Sequence, residues 1–374
     1  MGRRKQKLYL AIDDGSSSFK CLGLIGDELV PLIISPAVIE QRGETLDRYR
    51  QQVSSDLINR AFVGVNSDYF AVGNLAAKLG ATQPLKPLKS ETIVYKILAM
   101  VSMMAQRFNL GTSFDLHLGC LLPPGEFRDR QRIQADLLTA LADFDTPVGV
   151  FSVKLVDCNF YAEGTGIARL LQINDRQSLG TAVILMAGHR NLSFYATESH
   201  EITAIGTCDL GFNHWVKAVR AVTYSYDLPK LSTAMANYWL TQDIQQLEPI
   251  LRNSVAELRL SESNALVREI QLAHDNYCNS IFDWLDDQLP DRIDELMLAG
   301  GVGDVLQKEL MEYFVGKLTP NPKYPDKYAI FNSSVFKLPV LDVPDGYQSR
   351  MADVYCMWKY LMPQPKIVIK NSQK

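Results

Sequence analysis

One strand–turn–strand pattern occurs twice along this chain. Residues 8–13 form a short apolar run that ends on Asp13-Asp14-Gly15-Ser16-Ser17, and residues 19–24 and 28–34 supply two further apolar stretches. Much later, residues 182–186 run into a turn at 187–191, followed by apolar stretches at 192–197 and 202–205. Short apolar runs bounded by turn residues predict strands, and three in succession predict an antiparallel meander. Aligning the two turns sets Asp13 opposite Met186, Gly15 opposite Gly188 and Lys20 opposite Ser193. A supersecondary unit that recurs at the head of each half predicts two related α/β subdomains facing each other. With 374 residues the chain exceeds what one hydrophobic core usually holds, which agrees with that division.

Between the repeats, residues 40–56 are polar and read as a surface insertion, and 66–73 read as a hairpin. The pattern predicts helices over 91–108, 126–141 and 162–171, with strands over 114–121 and 148–156. After the second meander, residues 212–289 are mostly helical by pattern, and Pro290 ends the run. A short strand at 295–298 meets Ala299-Gly300-Gly301-Val302-Gly303, followed by a helix over 305–318, a Pro-rich loop at 321–328 and a final helix over 352–361.

A net charge of −4 removes a global basic surface, so any DNA contact is expected to be indirect or confined to a patch. The basic ends, residues 2–7 and 366–374, read as solvated termini or as contacts for anionic lipid or nucleic acid. The six cysteines form no C-x-x-C pair, and the five histidines lack metal-ligand spacing; a reducing compartment without a zinc site is expected. Residues 92–108 contain Lys96, Ser102 and Gln106, so they read as a buried helix and not a membrane span. The apolar stretch near the N-terminus is too short for a signal peptide, and a cytoplasmic protein is expected.

Two segments have the means to do chemistry. A tight turn with Gly15, Ser16 and Ser17 presents backbone N–H groups and hydroxyls to one point, which suits a phosphate chain. Asp13 at the strand end can hold a hydrated magnesium ion, and Lys20 on the returning strand can reach a phosphate oxygen. The same residues also make an ordinary satisfied hairpin. Gly300, Gly301 and Gly303, between a strand and a helix, let the backbone approach a ligand closely, although structural turns use the same residues. The spacing is that of neither a dinucleotide fingerprint nor a Walker loop.

Together, the duplicated hairpins, the Asp13-x-Gly15 turn with Lys20 and the late Gly300-Gly301 turn resemble the actin, sugar-kinase and heat-shock-chaperone ATPase superfamily. Residues 69–76, 162–166 and 350–355 narrow the resemblance to the bacterial actin-like ATPases of the ParM/StbA family. The resemblance implies an α/β actin-like ATPase fold with two lobes around a nucleotide cleft: lobe one over 1–163 with a return helix in 346–374, and lobe two over 164–345. It implies ATP and magnesium as ligands. Asp13 would position magnesium through water, and Gly15, Ser16, Ser17 and Lys20 would hold the β- and γ-phosphates. Gly300, Gly301 and Gly303 would line the nucleoside. Glu163 occupies the place of the residue that orients the attacking water, with a plain alternative as an acid favoured by a helix N-terminus.

The second turn departs from the family. Where the family carries two aspartates, this chain reads Met186-Ala187-Gly188-His189-Arg190-Asn191-Leu192-Ser193. Three readings stay open: hydrolysis slowed or lost with nucleotide binding kept at Gly188; Arg190 or His189 contacting phosphate directly; or both side chains facing solvent. The implied function is a self-assembling, head-to-tail filament, with an adaptor protein linking it to plasmid DNA. The alternatives are a filament acting on cell shape or the envelope, a nucleotide-binding scaffold without turnover, and a small-molecule kinase, for which no motif is visible.

Overall fold

The computed structural model describes residues 6–51, 56–81, 89–173, 180–198, 201–223, 226–319, 329–332, 341–344, 347 and 349–363. The loop expected at 321–328, the basic stretch 366–374 and most of residues 2–7 lie outside the described residues. The chain divides into two compact units, Met1–Asp175 with Leu338–Lys374, and Arg176–Lys337. The 162–171 helix therefore falls in the first unit, whereas the sequence reading set it in the second.

The first unit is built on β1 (Lys7–Asp14), β2 (Phe19–Ile25) and β3 (Glu28–Ile34), the expected meander. A small second sheet follows, containing β4 (Val38–Gln41), β5 (Phe62–Val65) and β6 (Asp68–Val72). Next come β7 (Asp115–Leu122), the short pair β8 (Phe144–Thr146) and β9 (Gly149–Phe151), and β10 (Lys154–Ala162). The main sheet has the order β10-β7-β1-β2-β3, with β7 parallel to both β1 and β10. As a central strand β1 is covered on both faces, which is why Leu8, Leu10, Ala11 and Ile12 read as one apolar run.

The helices of the N-terminal part of this unit are α1 (Gly43–Arg50), α2 (Asn74–Lys78), α3 (Lys89–Arg107), α4 (Arg130–Ala142) and α5 (Thr165–Ile173). The longest, α3, buries Ile93, Ile97, Met100, Val101 and Met104 in the core of the main sheet. It lies so close to β2 that a Cβ on Gly23 would stand 2.8 Å from the Met104 sulfur. Tyr95, also on α3, stacks on Phe70 of the small sheet at 3.8 Å.

In this unit three elements differ from the sequence reading. Residues 40–56 are not a plain insertion. They hold the end of β4 and the whole of α1, which is anchored by buried Leu46 and by Arg50 donating to both carboxylate oxygens of Asp145 at 2.6 and 3.2 Å. One buried leucine among charges leaves no readable period. The 148–156 strand is broken at Ser152-Val153 into β9 and β10. The helix expected from 162 starts at Thr165, because β10 runs on through Ala162 and Gly164 adopts φ +90.

The second unit repeats the design. It contains β11 (Thr181–Ala187), β12 (Leu192–Glu198), β13 (Glu201–Cys208), β14 (Glu295–Ala299) and β15 (Ala329–Asn332) in the order β13-β12-β11-β14-β15. As in the first unit, an antiparallel meander is extended by two parallel strands. Helices α6 (Phe212–Val222), α7 (Leu228–Thr241) and α8 (Ala256–Gln288) lie between β13 and β14. Trp215 is the largest buried side chain, and its indole N–H donates to the Ile270 carbonyl at 3.0 Å. The helix expected at 305–318 is α10 (Gln307–Val315), and a short helix not expected from the sequence, α9 (Gly301–Val305), precedes it across Leu306. A closing helix, Ala352–Tyr360, returns to the first unit. Among the described residues no helix is long and apolar enough to cross a membrane.

Candidate functional site

In the first unit the carboxyl ends of the parallel strands β1, β7 and β10 lie side by side, the edge of an open α/β sheet where ligands bind. β1 delivers Asp13 and Asp14 there. Successive residues of a strand point to opposite faces, so the two acids take different partners. Asp13 pairs with Lys20, its direct partner in the β1–β2 register. Asp14 turns toward α3, where Lys96 Nζ donates to both its oxygens at 2.6 Å.

The turn between them is tight. A Cβ on Gly15 would stand 2.7 Å from the Ser18 carbonyl oxygen, so only glycine fits without a shift. Ser17 Oγ accepts from Arg350 Nη2 at 3.1 Å, and Lys20 Nζ donates to the Arg350 carbonyl, also at 3.1 Å. Ser16 is half-buried in the same turn. The Ser18 hydroxyl is buried without a hydrogen-bond partner among the described residues.

Glu163 follows β10, with its N–H bonded to the Leu122 carbonyl at the end of β7 (2.9 Å). It thus shares the sheet edge with Asp13. It lies in the turn before α5, not within the helix. The next N–H, on Gly164, donates to Asp353 Oδ2 of the closing helix at 2.6 Å. Asp353 is 4% exposed, and its other oxygen has no partner among the described residues. Burial pushes its carboxyl up to about 7; the Gly164 bond opposes this, and the negative charges of Asp13 and Glu163 add to it.

A pH dependence follows. An aspartate ionises at about 3.9 in an unfolded chain, so from there to about 7 the folded state keeps a proton that the unfolded state has lost. The contribution of Asp353 to stability should therefore decline across that window. Asp353→Asn removes the titration and keeps an acceptor for Gly164. Denaturant melts at several pH values should show the variant gaining on the wild type as pH rises. A difference that stays constant with pH would argue against a protonated Asp353.

In the second unit the turn between β11 and β12 matches the first in register: Met186 faces Ser193 as Asp13 faces Lys20. The ion pair is replaced by a thioether and a hydroxyl, and Ser193 Oγ bonds Thr207 Oγ1 at 3.0 Å. The Gly188 N–H closes the turn on the Asn191 carbonyl. The carbonyls of Gly188, His189 and Arg190 accept from the N–H groups of Phe212, Asn213 and Gly211, so the turn caps the start of α6. The side chains of His189 and Arg190 are half-buried.

Gly300 is next to this turn, because β14 runs parallel to β11 with Ala299 level with Met186. Its φ is +88, and a Cβ added to it would run into the Ala187 carbonyl. Gly301 opens α9, and the Gly303 N–H bonds back to the Gly300 carbonyl at 3.1 Å. The structure thus gathers Asp13, Gly15, Ser16, Ser17, Lys20 and Glu163 at one sheet edge, and Gly188, Arg190, Gly300, Gly301 and Gly303 at the edge of the other sheet.

Sequence reasoning missed the roles of Asp14, Lys96, Arg350 and Asp353. Lys96 had a signal, as a cation inside an otherwise apolar helix. Asp353 and Arg350 act across more than 180 residues of sequence, and no local pattern announces them.

The duplicated sheets, each a meander extended by parallel strands and ending in a glycine-bearing turn, make this an actin-like ATPase fold. No protein-family model and no curated protein sequence matches the chain. Solved structures do. Bacillus thuringiensis ParM with ATP superposes with a TM-score of 0.55 at 12% identity, over 95% of this chain and 98% of that one. The Alp12 filament structure gives 0.54 at 12% identity, over 94% and 98%. An archaeal actin homologue in complex with ADP gives 0.50 at 15% identity, over 84% and 94%.

Proposed function

We propose that this chain is an actin-like nucleotide-binding protein that polymerises into cytoskeletal filaments in an ATP-dependent way. The observation that carries the reading is the first turn: Gly15, Ser17 and Lys20 converge with Arg350 at a sheet edge that also holds Asp13 and Glu163. Such a turn gives a phosphate chain hydroxyls, N–H groups and two cations. The Ser18 hydroxyl in the same turn, buried without a partner among the described residues, adds a polar group with its hydrogen bonds still to make. Neighbours of the same fold include a ParM with ATP, an actin homologue with ADP and a filament, which supports nucleotide binding and head-to-tail self-association.

Asp13 is suited to holding magnesium through water, because one carboxylate plus phosphate oxygens satisfies this ion without an all-protein cage. Magnesium would neutralise charge on the phosphate chain. Glu163 would orient the attacking water, and Lys20 would hold a phosphate oxygen in place. Gly300, Gly301 and Gly303 would face the nucleoside, with Gly188 and Arg190 beside them. A cytoplasmic filament that reaches plasmid DNA only through an adaptor protein extends this reading. A second reading, a nucleotide-binding scaffold with little turnover, is favoured by Met186 in place of an acid.

High-speed sedimentation with magnesium and ATP, with ADP, and without nucleotide tests the proposal. Pelleting is expected with ATP. A protein that stays in solution in all three conditions, at concentrations well into the micromolar range, would count against a filament. Phosphate release from the pelleted polymer separates a dynamic filament from a scaffold.

A further inference from the structure

We infer that Arg350 is a phosphate-binding residue that meets the phosphate chain of the nucleotide from the segment leading into the closing helix. The inference rests on the nucleotide reading above and names a group that the sequence motifs did not. Arg350 makes two contacts to the first turn. Its guanidinium donates to Ser17 Oγ, and its carbonyl accepts from Lys20 Nζ, each at 3.1 Å. Both of these residues are candidates for holding the phosphates, and the guanidinium is bonded to the first of them.

The charge arrangement singles it out. Lys20 is paired with Asp13, and Lys96 with Asp14. No carboxylate pairs with Arg350 among the described residues; its hydrogen bond goes to a neutral hydroxyl, and its cation lies over the Tyr347 ring at 4.8 Å. A guanidinium carries five N–H donors in a rigid fork that matches phosphate oxygens in pairs. A half-buried fork with donors to spare, beside a turn rich in hydroxyls, suits a polyanion. The Tyr347 ring and the Met351 N–H bond to the Tyr347 carbonyl (3.1 Å) hold the segment in place before any ligand arrives.

The contact also gives the closing helix a share in the nucleotide state. Two residues after Arg350 the chain enters that helix, whose Asp353 accepts from Gly164 beside Glu163. A phosphate drawn to Arg350 therefore engages the segment that steadies the Glu163 turn.

The test is binding of adenosine, AMP, ADP and ATP, with magnesium, to the full-length wild type and to Arg350→Ala and Arg350→Lys, by calorimetric titration. Thermal melts without nucleotide report the fold. The expected result is about tenfold or greater weakening of ATP by Arg350→Ala, as for loss of a charge-assisted bond, with adenosine unchanged. Arg350→Lys should fall between, since it keeps the charge and loses the fork. Should Arg350→Ala fail to fold, Arg350→Lys carries the test: a full wild-type preference for ATP over adenosine overturns the inference. So does Arg350→Ala that binds ATP like the wild type, or that loses ATP and adenosine equally. A wild type that binds none of the four ligands overturns the nucleotide reading itself, and this inference with it.

Discussion

Replacing Lys96 by methionine should lower the unfolding free energy by about 3–5 kcal/mol, the usual cost of leaving one member of a buried ion pair alone. Both side chains are almost wholly enclosed, and Lys96 reaches both oxygens of Asp14. Methionine fills the aliphatic length of lysine, so the packing of α3 is largely kept. What remains is an acid at the end of β1 with no counter-charge, which must be buried as an ion or take up a proton. The double variant Lys96→Met with Asp14→Leu should regain most of the loss, because an apolar pair can replace a buried ion pair at little cost. Urea denaturation of the two single variants and the double gives the coupling energy directly. A Lys96→Met protein within about 1 kcal/mol of the wild type would sink the claim that this pair anchors the turn, since that is the range of an exposed pair.

The second large effect is expected at Gly300. Its φ of +88 and ψ of 160 lie in a region essentially reserved for glycine, where another residue costs of order 1–3 kcal/mol. An alanine Cβ would also press on the Ala187 carbonyl, 2.8 Å from its carbon, and that carbonyl belongs to β11 and cannot swing aside as a side chain would. Gly300→Ala should therefore lose about 3 kcal/mol or more, strain and clash together. Gly303→Ala is the control. It is helical, its nearest neighbour would be the Leu298 Cβ at 3.8 Å, and alanine is favoured over glycine in a helix by about 0.5–1 kcal/mol. Thermal melts of the two variants should thus diverge in sign. Equal losses at both positions would show that the turn geometry is not what restricts position 300.

The first turn and the duplication were legible because both depend on local order. Apolar runs of strand length and small turn residues announce a meander wherever they occur, and the alignment of Asp13 with Met186 and Lys20 with Ser193 reappears as strand register. Helix α1 was not legible, since its place is set by Leu46 and by a clamp from Arg50 to Asp145 ninety-five residues away. The start of α5 was misplaced because Ala162-Glu163 has helix-forming residues and only the φ of Gly164 ends the strand. Arg350 and Asp353 stood in a segment whose resemblance was visible while its chemistry was not, because that chemistry exists only once the chain has come back to its beginning.

The two turns are held in different ways. The first depends on side chains: Lys20 on Asp13, Lys96 on Asp14, Arg350 on Ser17. The second is fastened through main-chain carbonyls to the start of α6. Side-chain anchors can be lost one substitution at a time, whereas a main-chain clasp survives most of them. None of these main-chain bonds uses the side chain of Met186, His189 or Arg190. In the first turn, by contrast, shape and charge are carried by the same residues, so neither can change without the other.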